Sequence, residues 1–268
     1  MTNKKKDSIE ELYDEKYEEP EPEDFLEEEA ESPKKRKKKK GKRAGVRIAA
    51  IGIAMLLVFQ SSYLLFDGFR LDSLRLLQES NTIFQNEEVE SWKDSIVTVQ
   101  GQADGQEKRG TGFALQEDGY LLTNQHVVEG VDQIGVYSED GEWREASLIA
   151  ADPEKDLALL QIEEGSIPGL SIKESAAGGG EEIYVIGNPL RLTWIASRGE
   201  IITPGSGPEE RMIISASVFN GSSGSPVLNE TGDVEGIVFA RGTEESGEAV
   251  GIAVEAETIN EFLEENGL

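Results

Sequence analysis

A series of short β-rich segments separated by turn residues is the feature that most restricts the fold of this chain. At least nine such segments follow one another after Ser95, with Gly, Asp and Asn between them. Short strands at close spacing are typical of β-barrels and sandwiches, whereas βαβ folds alternate strands with longer helices. The sequence therefore predicts an all-β domain over residues 93–268, and ETINEFLEENG predicts a C-terminal helix.

The chain before this domain divides into three segments. Residues 1–47 are first rich in Glu and Pro and then, over KKRKKKKGKR, polybasic. The Glu-rich part has too few apolar residues to offset its ordering entropy and is predicted to be disordered. Residues 67–92 are predicted to form a juxtamembrane stalk, with a short amphipathic helix that begins near Leu71 and is broken by NEEVES.

Residues 48–66 contain no charged side chain and have about the length of a membrane-spanning helix. The preceding basic run predicts that the N-terminus is cytoplasmic and that everything after residue 66 is extracellular. We interpret the segment as an uncleaved signal anchor of a single-pass membrane protein. A cleaved signal peptide is the alternative, although 47 residues before the apolar run are long for one.

Composition excludes several classes of site. The chain has no Cys and a single His, so it has no disulfides, no Cys nucleophile, no Cys-based zinc site and no His-rich metal centre. Residues 1–47 are electrically balanced, so the net charge of −27 lies entirely after residue 47. Such a surface disfavours phosphate contacts, and we expect no nucleic-acid partner. No cofactor or metal is expected, and cation binding by the acidic surface lacks an EF-hand-like motif.

Three segments of the β-rich domain supply a base, an acid and a nucleophile. His126 lies at the end of an apolar strand in LLTNQHVVEG, Asp156 precedes the apolar run LALLQI, and Ser223 lies in NGSSGSPV. A serine hydroxyl becomes a nucleophile when a neutral imidazole takes its proton and a carboxylate orients that imidazole. Glycines around Ser223 allow a tight turn in which the amides of Gly221 and Ser223 form an oxyanion hole.

Each of these segments also has an ordinary structural explanation. A lone histidine beside two valines is often a hydrogen-bonded core residue, an aspartate beside a lysine is often a surface ion pair, and GSSGS is often a flexible turn. The prediction rests on their occurrence together and in this order in an all-β domain.

The motifs TGFALQEDGYLLTNQHVVEG, DPEKDLALLQIE, EEIYVIGNP and NGSSGSPVLNETGDVEGI resemble successive motifs of HtrA-type (Deg) serine proteases of the trypsin-like superfamily. This resemblance implies two six-stranded antiparallel β-barrels with the catalytic cleft between them. It implies that His126 is the general base, that Asp156 orients it and that Ser223 attacks the scissile carbonyl. It further implies protein or peptide substrates and a homotrimer.

The sequence departs from the HtrA pattern at three places. HtrA proteins usually carry a PDZ domain after the protease, and we expect this protein to lack one; Ser225 stands where the family usually has glycine. By alignment of motifs, Phe239, Ala240 and Arg241, together with Ser217, should line the primary specificity pocket. Two orientations of Arg241 are open: it either points into solvent or points inward, where it could pair with an acidic P1 side chain.

Two functions follow from these observations. The first is a membrane-anchored, extracytoplasmic serine endopeptidase that degrades unfolded or damaged proteins. The second is a catalytically inactive protease-like module that binds peptides or partner proteins outside the membrane. Whether Ser223 reacts discriminates between them.

Overall fold

The computed structural model describes residues 45–58, 71–117, 119–163, 165–175, 177–205, 211–244 and 246–268. The chain divides into two compact units, Met1–Gly68 and Phe69–Leu268. In the first unit, residues 45–58 form helix α1, whose side chains are exposed.

The predicted anchor at residues 48–66 lies only partly within this description, because residues 59–66 fall outside it, as does most of the predicted tail at residues 1–47. Among the described residues, no helix is both long enough and apolar enough to cross a membrane. Anchoring by residues 48–66 stays a prediction.

The second unit contains four α-helices and twelve strands in its described residues. The helices are α2 (Leu71–Ile83), α3 (Glu87–Ser91), α4 (Gln125–Val128) and α5 (Ala256–Glu265). The strands are β1 (Ile96–Ala103), β2 (Gln106–Ala114), β3 (Tyr120–Thr123), β4 (Ile134–Tyr137), β5 (Trp143–Asp152), β6 (Leu157–Ile162), β7 (Glu182–Gly187), β8 (Ile195–Thr203), β9 (Met212–Ile214), β10 (Pro226–Leu228), β11 (Val234–Thr243) and β12 (Ala249–Glu255).

The strands form two closed antiparallel barrels of six strands each, which confirms the predicted fold. The first barrel has the strand order β1-β2-β3-β6-β5-β4, and the second has the order β10-β11-β12-β9-β8-β7. Local sequence explains individual turns: Asp104 and Gly105 both adopt positive φ, 52° and 76°, between β1 and β2. Asp-Gly is a preferred pair for such two-residue hairpin turns, whose twist matches that of the strands.

Helix α5 joins a hydrophobic core that both barrels share. Its buried residues Ile259, Phe262 and Leu263 recur at helical spacing and pack in one cluster with residues of both barrels. That cluster includes Phe113 and Leu159 of the first barrel together with Ile186, Leu228 and Ile237 of the second. The barrels are therefore held in a fixed relation, which the cleft between them requires.

Helices α2 and α3 occupy the segment predicted to be a stalk, and α2 packs against β8. Ser80 Oγ accepts a hydrogen bond of 3.0 Å from the Ala196 amide, and Glu79 Oε1 accepts one of 3.1 Å from the Arg198 amide. Leu76 and Ser80 are buried in this contact. Helix α2 ends at Ile83, just before the NEEVES segment that was predicted to break it, and this segment then begins the separate helix α3, whose first turn is capped by Asn86 Oδ1.

Candidate active site

His126 lies on α4, a single helical turn that follows β3 directly. Asn124, in extended conformation, ends the strand segment and precedes the helix. Lys108 Nζ donates hydrogen bonds to the carbonyl oxygens of His126, at 3.1 Å, and of Glu129, at 2.5 Å. These bonds satisfy carbonyls that have no partner at the end of a short helix. The imidazole side chain is 43% exposed, so a substrate can reach it.

Asp156 ends the turn between β5 and β6, and its side chain is only 8% exposed. One carboxylate oxygen lies 2.8 Å from His126 Nδ1, and the other accepts a hydrogen bond of 3.0 Å from the His126 amide. Because an ionised carboxylate only accepts hydrogen bonds, Nδ1 of the neutral ring carries the proton and Nε2 is left as the acceptor. The structure thus brings together the predicted base and its predicted orienting acid.

The charged side chain that precedes Asp156 in the sequence, Lys155, pairs with a residue other than Asp156. Lys155 Nζ donates a 2.9 Å hydrogen bond to Glu265 on α5, which raises the pKa of Lys155 above its usual value. In the described part of the chain, no group of three or more His, Cys, Asp or Glu side chains is arranged to hold a metal ion.

Ser223 lies in the loop between β9 and β10, on the second barrel. Its Oγ donates a 3.4 Å hydrogen bond to the carbonyl oxygen of Phe239, and the Phe239 ring meets the His126 ring edge-on at 6.3 Å between centroids. Phe239 therefore lies beside both predicted catalytic side chains. Among the described residues, Ser223 Oγ has no hydrogen bond to His126, a contact that commonly forms only with substrate bound.

The amides of Gly221 and Ser223 are oriented by the carbonyls that precede them. Asn220 O accepts a 2.8 Å bond from the Leu190 amide, and Ser222 O accepts a 2.9 Å bond from the Ser225 amide. In a trans peptide the N–H points opposite to the carbonyl, so both amides point away from these partners. Neither donates a hydrogen bond to another described residue, as an oxyanion hole requires.

Thr111, on β2 of the first barrel, holds this loop from the opposite side. Its Oγ1 donates to Gly221 O at 2.8 Å, its amide donates to Ser223 O at 2.8 Å, and its Oγ1 accepts from the Asn188 amide at 3.0 Å. Thr111 is fully buried. Sequence analysis missed this residue, because a threonine in a strand carries no signal of a contact 110 residues away.

Ser225, the departure from the family pattern, lies in the barrel junction. It is fully buried, and its Oγ has no hydrogen-bond partner among the described residues. A Cβ built on Gly187 would overlap Ser225 Oγ, and one built on Gly224 would overlap the carbonyl oxygen of Thr111. The extra side chain of Ser225 therefore occupies space that glycine at 187 leaves free.

The residues predicted to line the specificity pocket lie on two neighbouring segments. Ser217 is exposed, and its carbonyl accepts a 3.1 Å hydrogen bond from Ser197 Oγ. Phe239 and Ala240 are half-buried on β11, and Arg241 is exposed, with its guanidinium 5.5 Å from the centre of the Phe219 ring. Arg241 thus reaches from β11 to the segment that leads into Ser223.

Comparisons with known proteins agree with this architecture. A family described as a trypsin-like peptidase domain matches residues 110–237. A "Probable periplasmic serine endoprotease DegP-like" from Hahella chejuensis is 37% identical over 134 residues, which cover 48% of this chain and 29% of the relative. A protein of the same name from Brucella suis is 38% identical over 158 residues, covering 54% of this chain and 30% of the relative. The chain thus matches about 30% of the length of these relatives.

Solved structures show the same fold. The serine endoprotease from Yersinia pestis superposes with a TM-score of 0.61 and 28% identity, covering 68% of this chain and 65% of that chain. The Rv3671c protease from M. tuberculosis in its active form gives a TM-score of 0.61 and 26% identity, covering 68% of this chain and 85% of that chain.

The Thr111 contacts predict a measurable loss of stability on Thr111→Val. The variant keeps the side-chain volume but leaves the Gly221 carbonyl and the Asn188 amide without their buried partner, which should lower the free energy of unfolding by about 1–3 kcal/mol. Urea unfolding of the purified chain measures this, and hydrogen exchange should rise in the segment around Gly221. Thr111→Ser, which keeps the hydroxyl, is the control, and equal stability of the valine variant and the parent would contradict the assignment.

Proposed function

We propose that this chain, which contains a trypsin-like serine protease domain related to HtrA- and DegP-like endoproteases, is an extracytoplasmic serine endopeptidase with His126, Asp156 and Ser223 as its catalytic triad. The relatives that the chain resembles are named as periplasmic serine endoproteases, which supports an extracytoplasmic protease domain. By the same resemblance, we propose that the substrates are unfolded or damaged proteins.

The chemistry follows from the protonation of the imidazole. Ser223 Oγ attacks the carbonyl carbon of the scissile peptide, and its proton moves to His126 Nε2. The negative charge that develops on the carbonyl oxygen is accepted by the amides of Gly221 and Ser223. His126 then gives its proton to the leaving amine, and water, deprotonated by the same nitrogen, hydrolyses the acyl-enzyme. Asp156 stabilises the imidazolium that forms in both steps.

The observation that carries this proposal is the double contact between Asp156 and His126. The carboxylate bonds both the ring nitrogen and the backbone amide of His126, and it does so from a nearly buried position. Such a contact fixes the tautomer and the orientation of the ring, which a general base requires and a surface ion pair does not.

One observation favours the alternative function, a protease-like module without activity. The hydroxyl of Ser223 is bonded to the Phe239 carbonyl rather than to the imidazole. If that bond persisted with a peptide bound, His126 could not take the serine proton.

Reaction with a fluorophosphonate separates the two functions. We expect the intact mass of the chain to increase by a single adduct after incubation, because an activated serine attacks phosphorus as it attacks a carbonyl. Ser223→Ala should give no adduct, and Ser222→Ala, which removes the neighbouring buried hydroxyl instead, is the control. A folded parent that forms no adduct would contradict an active triad and favour the binding module.

We also propose that residues 48–66 anchor the protein in the membrane with the N-terminus in the cytoplasm. The uncharged run and the preceding polybasic segment support this orientation. Protease added to intact spheroplasts should remove a C-terminal epitope and spare an N-terminal one, and deletion of residues 1–66 should release the protein from the membrane fraction. Protection of the C-terminal epitope in sealed cells would overturn the topology.

For substrate recognition, we propose that Ser217, Phe239, Ala240 and Arg241 line the primary specificity pocket and that Arg241 favours an acidic P1 side chain. A charge-assisted hydrogen bond between Arg241 and a P1 carboxylate would stabilise the bound substrate enough to change kcat/KM about tenfold.

A peptide library that varies P1 tests this preference. The preference for Glu or Asp over Gln or Asn should be lost in Arg241→Ala and kept in Arg198→Ala, which removes an exposed arginine paired with Glu182. A preference for small aliphatic P1 residues that is unchanged in Arg241→Ala would contradict the assignment.

A further inference from the structure

Arg211 connects the second barrel to the turn that carries Asp156 in the first. It lies immediately before β9, and its guanidinium donates a 3.1 Å hydrogen bond to Glu154 O and a 3.3 Å hydrogen bond to Lys155 O. Two donors of one planar group hold two successive carbonyls, a geometry that the rigid fork of arginine provides and lysine does not.

The contact with Lys155 bears directly on the backbone of Asp156. The Lys155 carbonyl belongs to the same peptide plane as the Asp156 amide, so holding that oxygen limits rotation of the plane. Asp156 has φ of 54°, a left-handed conformation that is strained for a non-glycine residue. The turn therefore needs contacts that keep it in place, and Arg211 supplies them from outside the first barrel.

The same guanidinium lies against Phe239, which contacts both His126 and Ser223. Its central carbon is 5.1 Å from the centre of the Phe239 ring, within the range of a cation–π contact. The Phe239 ring meets the His126 ring edge-on, and the Phe239 carbonyl accepts a hydrogen bond from the Ser223 hydroxyl. One side chain thus contacts both the turn behind the imidazole and the ring beside it.

Arg211 differs from most basic side chains of the second unit in the groups that it binds. Most of the basic side chains in the second unit pair with a carboxylate: Lys93, Lys108, Arg144, Lys155, Lys173, Arg191 and Arg198. Arg211 forms no ion pair with a residue that the structure describes, in a chain with 53 acidic residues. Its hydrogen bonds go to backbone carbonyls, so its role is to fix geometry across the cleft.

We propose that Arg211 is a positioning residue, which holds the Asp156 turn and the Phe239 ring in place so that His126 faces Ser223. The effect on turnover rests on the proposed endopeptidase activity, whereas the effect on the contact between His126 and Asp156 does not. Arg211 itself touches neither the substrate nor the reacting atoms.

The single histidine of the chain provides a direct readout. With ¹⁵N-labelled histidine in the full chain, purified without a polyhistidine tag, the imidazole signals belong to His126 alone. The Nδ1 proton bonded to a carboxylate gives a low-field resonance, which we expect to shift or broaden in Arg211→Met and to be unchanged in Arg198→Met. Arg198 is a matched control, since it is an exposed arginine on the same barrel, paired with Glu182.

Kinetics provide the second readout. Arg211→Met should lower kcat about tenfold or more while KM changes little, because misplacement of a catalytic group by about 1 Å reduces rate steeply. Arg211→Lys keeps the charge but cannot hold both carbonyls, so its kcat should lie between those of the methionine variant and the parent. Should Arg211→Met not fold, Arg211→Lys provides the test, and the same resonance should shift or broaden in it and not in Arg198→Lys.

The outcomes separate the two proposals. An unchanged His126 resonance together with an unchanged kcat in Arg211→Met would overturn the role of Arg211. The same changes of resonance and kcat in Arg198→Met as in Arg211→Met would also overturn it. If the parent is folded but neither cleaves peptides nor reacts with a fluorophosphonate, the proposed activity fails, and the His126 resonance still decides whether Arg211 positions the imidazole.

Discussion

The hydrogen bonds of Thr111 across the barrel junction are the constraint on which the rest of the site depends. A closed barrel satisfies the hydrogen bonds of its own strands, so the orientation of the two barrels is set by the contacts between them, which include the shared hydrophobic core. Thr111 makes one orientation favourable, because its hydroxyl and amide meet the Gly221 carbonyl, the Ser223 carbonyl and the Asn188 amide at once. Burial makes these bonds costly to break, since no water could replace them.

Two glycines allow the barrels to approach closely enough for those bonds. A Cβ at position 224 would overlap the Thr111 carbonyl oxygen on the other barrel, and one at position 187 would lie 3.0 Å from Thr111 Oγ1. Gly224 also has φ of 85°, which glycine adopts without strain. The proposed catalytic groups are then divided between the barrels. The first barrel holds His126 and Asp156, and the second holds Ser223 and the amides of Gly221 and Ser223, neither of which donates a hydrogen bond to another described residue. Neither barrel carries a complete site.

The strands and the candidate triad could largely be predicted from the sequence, because local sequence patterns indicate local structure. Turn residues and apolar runs marked the strands, and a lone histidine, an aspartate before a strand and a glycine-flanked serine marked the candidate triad. The number of strands is less accurate: the sequence shows at least nine β-rich segments, whereas the described residues form twelve strands.

What could not be predicted depends on contacts between residues distant in the chain. Thr111 and Arg211 have neither unusual neighbours nor a motif, and their importance comes from carbonyls that the fold brings to them. The same holds for α2, whose sequence predicts a short amphipathic helix but not the surface that it covers.

That surface has a consequence for which strand edges of the second barrel are free to pair. Strand β8 pairs with β9 only through its second half, so the outward amides of Ala196 and Arg198 would offer another polypeptide a place to add as a strand. The side chains of Ser80 and Glu79 occupy those amides instead. We proposed unfolded chains as substrates, and such a chain cannot add a strand to this part of β8. Its extended segments remain free to bind at the proposed active site.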